Sequence, residues 1–225
     1  MQTATLSPIP LLQRSLQLLN PIYTPLLILA SPSFFIPIIG ELVPIVGGLL
    51  NLAYVVVGAP ILGGAALVLV DQHLKQQSPV LGNSLDQAIS KAVPLVLGSV
   101  LLLLIVFGGS LLLVIPGIYL GVRLAFLICA IALEGQGATE GLGYSWNLVK
   151  GRWWGVFWAF LALGLIFGIP ILILSLIVGG IAAALNFGLL VAVVVGAVTT
   201  AIVPILNIFT VLLFRSLQDM QGQAA

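Results

Sequence analysis

Six apolar stretches divide the chain, at about 22–40, 50–72, 93–114, 117–134, 153–178 and 187–214. Each is near the roughly 20 residues, within a range of about 17–25, that a helix needs to cross a bilayer. Between Trp153 and Phe214 there is no Asp, Glu, Lys or Arg at all. The pattern predicts six spanning helices. The first is the least regular, because Pro25, Pro32 and Pro37 interrupt it. Proline removes a backbone donor and kinks a helix, so a broken or re-entrant element is expected, with neighbouring helices covering its exposed backbone. Pro116-Gly117 is a turn signal and is expected to split the run from Ala92 to Leu133 into a tight hairpin.

Three short amphipathic segments lie just ahead of spanning stretches. In the first, Ser7-Pro8 supplies an N-cap residue followed by proline at the first helical position. Ile9, Leu12, Leu16 and Leu19 then recur at helical spacing, with Gln13, Arg14 and Gln17 opposite. In the second, Ser84 and Gln87 make a capping-box pattern, with Leu85, Ala88, Ile89 and Ala92 as the stripe. Asp86 near its start and Lys91 near its end suit the helix dipole. In the third, Leu142, Trp146 and Val149 share a face.

The stretches LLQRSLQLLNPIYTPLLIL, SLDQAISKAVPLVLGSVLL and GLGYSWNLVKGRWWGVFWAF follow one plan of amphipathic helix, short break and membrane entry. The second helix of each hairpin also ends alike. Pro60 to Asp71, Arg123 to Glu134 and Pro204 to Arg215 each separate a distinctive residue from a charged one by 11 positions. The expectation is one membrane domain over 1–225, divisible into three parallel repeats at 7–73, 83–135 and 138–217. Parallel repeats about an axis along the membrane normal are a known membrane symmetry.

Composition sharpens the class. The chain is 61% hydrophobic and 6% charged over 225 residues, with a mean hydropathy of +1.29. A soluble domain carries about 25% charged residues to cover its surface, so lipid must solvate most of this one. The net charge of +1 and the lack of any basic run exclude a polyanion or nucleic-acid partner. One cysteine, Cys129, inside an apolar run excludes a disulfide framework and a cysteine metal cluster. The N-terminal segment lacks the pattern of a cleaved signal, so the first span is expected to be retained. With six spans, Arg14, Lys75, Lys91, Lys150, Arg152 and Arg215 all fall at one face, and none in loops near 41–49, 115–117 and 179–187. The positive-inside rule then places both termini in the cytoplasm.

Few residues could carry chemistry. Arg123 lies about six residues into the fourth span, where a charge costs about 2.5–3.5 kcal/mol on insertion scales and usually pairs or lines a polar path. Glu134, 11 residues on, shares its face but lies about 16 Å along the helix. Glu41, Asp71 or backbone carbonyls freed by prolines are the expected partners. Arg123 reads either as a substrate or headgroup contact or as a structural arginine that ties down a helix end. Lys150, Arg152, Trp153 and Trp154 form a basic-aromatic cluster, and all four tryptophans lie within 146–158. Such residues anchor interfaces; they could also bind anionic lipid or a protein. His73, the only histidine, makes an Asp-x-His pattern with Asp71 that nothing completes into a metal site. Gly117/Gly121, Gly151/Gly155 and Gly164/Gly168 have the spacing of small residues that let helices approach closely. Neither a catalytic triad nor a phosphate-binding loop can be assembled, so no cofactor is expected.

The stretch from Pro116 to Trp154 carries one family resemblance. Pro116-Gly117-Ile118-Tyr119, Val122-Arg123, Glu134-Gly135, Ser145-Trp146 with Leu148, and Lys150-Gly151-Arg152-Trp153-Trp154 resemble the membrane domain of some glycerophosphoryl diester phosphodiesterases. The same features resemble YciC-like inner-membrane proteins. The resemblance implies a six-helix-type membrane domain and not an enzyme, since the phosphodiesterase of fused relatives is a separate soluble barrel. Where that pattern has a basic residue before Ser145, this chain has Gly143 or Tyr144.

The expectation is therefore an all-α polytopic protein of the bacterial inner membrane, or of an internal membrane such as a thylakoid. Six spans and three cytoplasmic-face amphipathic helices would form a non-enzymatic module that organises lipid or a membrane-protein complex. The alternative is a small transporter or channel with a polar path near Arg123. Expected partners are the lipid bilayer and other membrane proteins.

Overall fold

The computed structural model describes residues 6–185 and 187–223, and these are helical apart from short connections, with no strand. In chain order the helices are α1 (Pro8–Ala30), α2 (Pro32–Leu42), α3 (Pro44–Ala53), α4 (Ala59–Leu74), α5 (Leu81–Ser90), α6 (Ala92–Leu112) and α7 (Val114–Arg123). Then come α8 (Leu127–Glu134), α9 (Ala138–Val149), α10 (Trp153–Leu163), α11 (Ile169–Leu185) and α12 (Leu189–Gly222). π-helical turns at Tyr54–Gly58 and Gly164–Gly168 join α3 to α4 and α10 to α11 without interrupting the rod. Six helical units are long and apolar enough to span a membrane: Pro8–Leu42, Pro44–Leu74, Ala92–Leu111, Val114–Glu134, Trp153–Leu185 and Leu189–Gly222. The chain is an all-α polytopic membrane protein.

The first span is broken, as its prolines led one to expect, into α1 and α2 at Ser31, and the break is mild. α1 runs through Pro21 and Pro25. At Ser31 the backbone stays near helical (φ −56°, ψ −32°) while the Ser31 hydroxyl and N–H both donate to the Ile28 carbonyl. Pro32 then opens α2, where its missing donor costs nothing. The predicted amphipathic segment and the first part of the span after it are one continuous helix, α1. The expected cap residue Ser7 precedes α1, but its side chain makes no capping bond.

The second hairpin turns at Leu113, extended at φ −164° and ψ 149°, and not at Pro116-Gly117. Pro116 and Gly117 both lie inside α7. Gly117 serves the hairpin differently: a Cβ there would overlap the Ser110 side chain and sit 2.9 Å from the Ser110 Cα. The absent side chain is what lets α6 and α7 touch. Gly98 against Ile131 (2.5 Å to a built Cβ) and Gly64 against Leu95 (2.9 Å) do the same deeper in the bundle. Between apolar helices in lipid, close approach replaces the hydrophobic drive as the source of attraction. Of the predicted packing pairs, Gly151 instead makes a left-handed turn (φ +80°), and Gly164 and Gly168 meet nothing within 4 Å.

The predicted stripes face outward only in part: Ala88 and Val149 are buried, and Leu12, Leu19, Leu85 and Leu142 pack against the core. On α1, Ile9 and Leu16 are 65% and 49% exposed, whereas Leu11 and Ser15 are buried. On α5, Ile89 is exposed while Ser84 and Ala88 are covered. On α9, Trp146 is exposed and Gly141, Ser145 and Leu148 are buried. The protein-facing side of each helix carries one buried serine, Ser15, Ser84 or Ser145, and in α1 and α9 large apolar residues such as Leu11 and Leu148 lie beside it. Ser84 is accordingly not a cap: α5 begins at Leu81, and the Ser84 hydroxyl contacts the Val80 carbonyl and Gln72.

The tightest packing lies near one end of the bundle. The α4 run Gly64–Asp71, most of α8 and the α12 run Val211–Phe214 are buried, with Phe126, Phe209 and Phe214 among the largest fully enclosed side chains. Toward the opposite end the helices are sparsely covered, and α11 buries only Val178 and Ala182.

Candidate functional site

The packed end closes on a charge cluster. Asp71 ends the buried run of α4, Glu134 is the last residue of α8 and Arg215 lies near the end of α12. Arg215 Nε and Nη2 lie 2.8 and 2.6 Å from Asp71 Oδ1, and Nη1 donates to Glu134 Oε1 at 2.7 Å. Lys75 Nζ sits 2.7 Å from the other Asp71 oxygen. Gln218 accepts from Arg215 Nη1 and donates to Glu134 and to the Tyr144 hydroxyl. The three charges that end the second helices of the hairpins therefore meet at one point, and Lys75 supplies the second cation that balances the two carboxylates. Such a cluster is a fastener for helix ends.

Arg123 stands apart from that cluster, and its partners are not the expected Glu41 or Asp71. Its Nε and Nη2 donate to the Tyr119 hydroxyl one turn earlier, at 3.1 and 3.0 Å, and Nη1 donates to the Trp146 carbonyl at 3.1 Å. The guanidinium also lies 4.8 Å from the Trp146 ring centroid and 5.3 Å from that of Tyr119, within the range of cation–π attraction. Dipoles and aromatic faces hold the cation in place without cancelling its charge.

Arg123 ends α7 because the helix breaks there. Leu124, Ala125 and Phe126 form a turn before α8 restarts, which leaves the Arg123 carbonyl and the Phe126 N–H without helical partners. The fully buried Ser145 hydroxyl fills both gaps: it donates to Arg123 O at 2.9 Å and accepts from Phe126 N–H at 3.1 Å. A neighbouring helix's serine satisfying freed backbone is what permits such a break inside a membrane protein. Ser145 is thus a positioning residue for Arg123, and Trp146, next in sequence, supplies the carbonyl and the ring.

The remaining basic residues frame the same end. Lys91 Nζ donates to Ala132 O at 2.7 Å, capping α8, and Arg152 Nη2 donates to Met220 O at 2.9 Å, capping α12. Cations are favoured at helix C-termini. Gln221 Nε2 reaches the carbonyls of Asn147 and Leu148, tying the end of α12 to α9 beside Trp146. Lys150 is exposed. Trp153 stacks on Tyr119 and Phe157 and donates from Nε1 to Tyr119 O, while Trp154, 66% exposed, stands edge-on to Trp153. Of the predicted site residues, Arg123, Ser145, Trp146, Lys150, Arg152, Trp153 and Trp154 therefore share one neighbourhood. Glu134 belongs to the Arg215 cluster, and Pro116 and Gly117 belong to the α6–α7 hairpin. Arg215, Tyr119 and Gln218 were missed. A lone arginine at the end of a long uncharged run was the available signal for Arg215.

With that geometry in view, the comparisons place the chain. It is a membrane protein of multi-pass helical architecture, and it belongs to the family of the domain of unknown function DUF7847, whose pattern matches residues 80–217. The matched region contains the whole Arg123 neighbourhood, the second hairpin and most of α12, and leaves out the first hairpin. No curated protein matches the chain. No solved structure matches it either.

Proposed function

We propose that this protein is a non-enzymatic membrane module that organises anionic lipid at the cytoplasmic face of a bacterial inner membrane. One observation carries the reading. Arg123, Lys150 and Arg152 gather around the α9–α10 junction, and among the described residues no carboxylate lies within 4 Å of any of them. The carboxylates Asp71 and Glu134 are taken up by Arg215 and Lys75. Positive charge framed by interfacial tryptophans and left without a counter-ion, with Arg123 and Arg152 held by backbone carbonyls, suits a lipid phosphate. Arginine's planar fork is the better of the two cations for that contact.

The thin inventory of acid–base and nucleophilic groups, with one histidine and one cysteine, supports a role without catalysis. Arg123 lines none of the four described cavities, so a transport path beside it gains no support from them. The resemblance to membrane domains attached to phosphodiesterases is consistent with an accessory role beside other membrane proteins.

The test is native mass spectrometry of the full chain released from vesicles containing equal phosphatidylglycerol and phosphatidylcholine. Preferential retention of phosphatidylglycerol is expected, and Arg123→Gln with Arg152→Gln should abolish the preference. Equal retention of both lipids by the unaltered protein would remove the basis of the proposal.

A further inference from the structure

Two of the described cavities meet at one polar side chain, Asn207, and a third adjoins them. A 480 Å³ cleft between α6, α7, α10 and α12 shares Ala125 and Thr210 with a 360 Å³ cleft beside it. That second cleft shares Ala59, Gly63 and Asn207 with a 120 Å³ cavity near Ser33 and Tyr54. Asn207 lies eight residues before Arg215 on α12, about 12 Å from the charge cluster along the helix, and Thr210 about 7 Å. Among the described residues the Asn207 amide makes no hydrogen bond, although it lines both of the smaller spaces. A bare amide at that depth is costly in hydrocarbon, so it calls for a polar partner inside the cleft.

The linings specify that partner. No Asp, Glu, Lys, Arg or His borders any of these three spaces, so a phosphate would be buried without a counter-charge, which excludes charged headgroups. Beyond Ser99, Asn207 and Thr210, the polar groups on the walls are the hydroxyls of Ser33, Tyr54 and Ser110; the rest is apolar and suits hydrocarbon chains. The hydroxyls of Ser99 and Thr210 already donate to Val96 O and Leu206 O, so each offers the cleft only an acceptor. In the 360 Å³ cleft, with the Asn207 carbonyl, that makes three acceptors against a single donor group, the Asn207 NH₂. An occupant that brings a hydroxyl donor together with a carbonyl acceptor satisfies both ends of the Asn207 amide.

We infer that the Asn207 cleft binds a neutral glycerolipid of the diacylglycerol class, with its free hydroxyl and an ester carbonyl at Asn207, Ser99 and Thr210 and its chains along the apolar walls. A quinone, which has carbonyls but no donor, matches the lining less well. The site is distinct from the anionic-lipid surface around Arg123 and does not depend on it. At 360–480 Å³ the larger clefts are within the usual size of ligand sites, about 300–1,000 Å³.

The experiment is photolabelling of the full chain in phosphatidylcholine vesicles with a diazirine-bearing diacylglycerol, the modified peptides being located by mass spectrometry. Labelling is expected in α4, α6 and α12 around Asn207, competed by unlabelled diacylglycerol but not by phosphatidic acid or ubiquinone. Asn207→Leu should weaken labelling about five-fold, the worth of roughly one hydrogen bond. Gly63→Leu, which fills the cleft from a position with nothing within 4 Å of its Cβ, should abolish it. Arg123→Gln should leave labelling unchanged. Competition by phosphatidic acid or ubiquinone as strong as by diacylglycerol would overturn the inference. So would labelling that persists in both cleft variants while their thermal unfolding matches the unaltered protein.

Discussion

Replacing Arg215 with methionine tests whether the charge cluster fastens the hairpin ends. Asp71 is the group most affected, since its side chain is only 9% exposed and both Arg215 Nε and Nη2 lie on its Oδ1. Stranding one member of a buried pair costs about 3–5 kcal/mol. Two features lower that figure here. Lys75 stays 2.7 Å from the other Asp71 oxygen. Glu134, with 29% of its side chain exposed, keeps water and the amide of Gln218. The expected loss for Arg215→Met is therefore about 2–3 kcal/mol. Methionine keeps most of the apolar stem, so little of the loss is packing. Removing both charges, as in Asp71→Leu with Arg215→Met, should recover most of the stability, because a paired charge and a matched apolar pair differ little. The assay is reversible unfolding of the full chain in mixed micelles as the denaturing detergent fraction rises, followed by tryptophan fluorescence. A single variant within about 0.5 kcal/mol of the unaltered protein, the size of an exposed ion pair, would refute the reasoning. A double variant as damaged as the single would do so equally.

Two further outcomes follow from the same geometry. Ser145→Ala strands the Arg123 carbonyl and the Phe126 N–H in a buried helix break and should cost about 1–3 kcal/mol in that unfolding assay. Ser15→Ala, whose hydroxyl only returns to Leu11 O in its own helix, should cost under about 0.5 kcal/mol; equal losses would contradict the bridging role. For orientation, an impermeant maleimide should label Ile45→Cys in intact cells and Ser90→Cys only after permeabilisation, both in a Cys129→Ser background. The reverse pattern would turn the charged end outward.

Much of the fold was legible along the chain because lipid imposes a one-dimensional rule: every span must be long, apolar and internally hydrogen-bonded. That rule located all six spans, and the basic residues at their ends marked the face where Asp71, Glu134 and Arg215 meet. The matched 11-residue endings even picked out those three charges, though spacing carries no information on which helix ends are neighbours. Other readings failed for reasons of the same kind. A stripe such as Ile9 and Leu16 looks the same whether lipid or protein covers it, so only packing revealed that Ser15, Ser84 and Ser145 face inward. Pro116-Gly117 has turn chemistry, but the turn formed where α6 and α7 could close against the missing side chain of Gly117, at Leu113.

The sequence by itself determined the solvent, the number of crossings and the end that holds the charge, since these depend on hydropathy and length alone. Tertiary structure decided the partners. Arg123 meets Tyr119 and Trp146, Ser145 bridges the break in the fourth span, and Asn207 opens into a cleft with no bond of its own. Each of the contacts of Arg123 and Ser145, apart from the local one to Tyr119, joins separate helices. Hydropathy is blind to which helix stands beside which, and only their packing could bring the polar groups together.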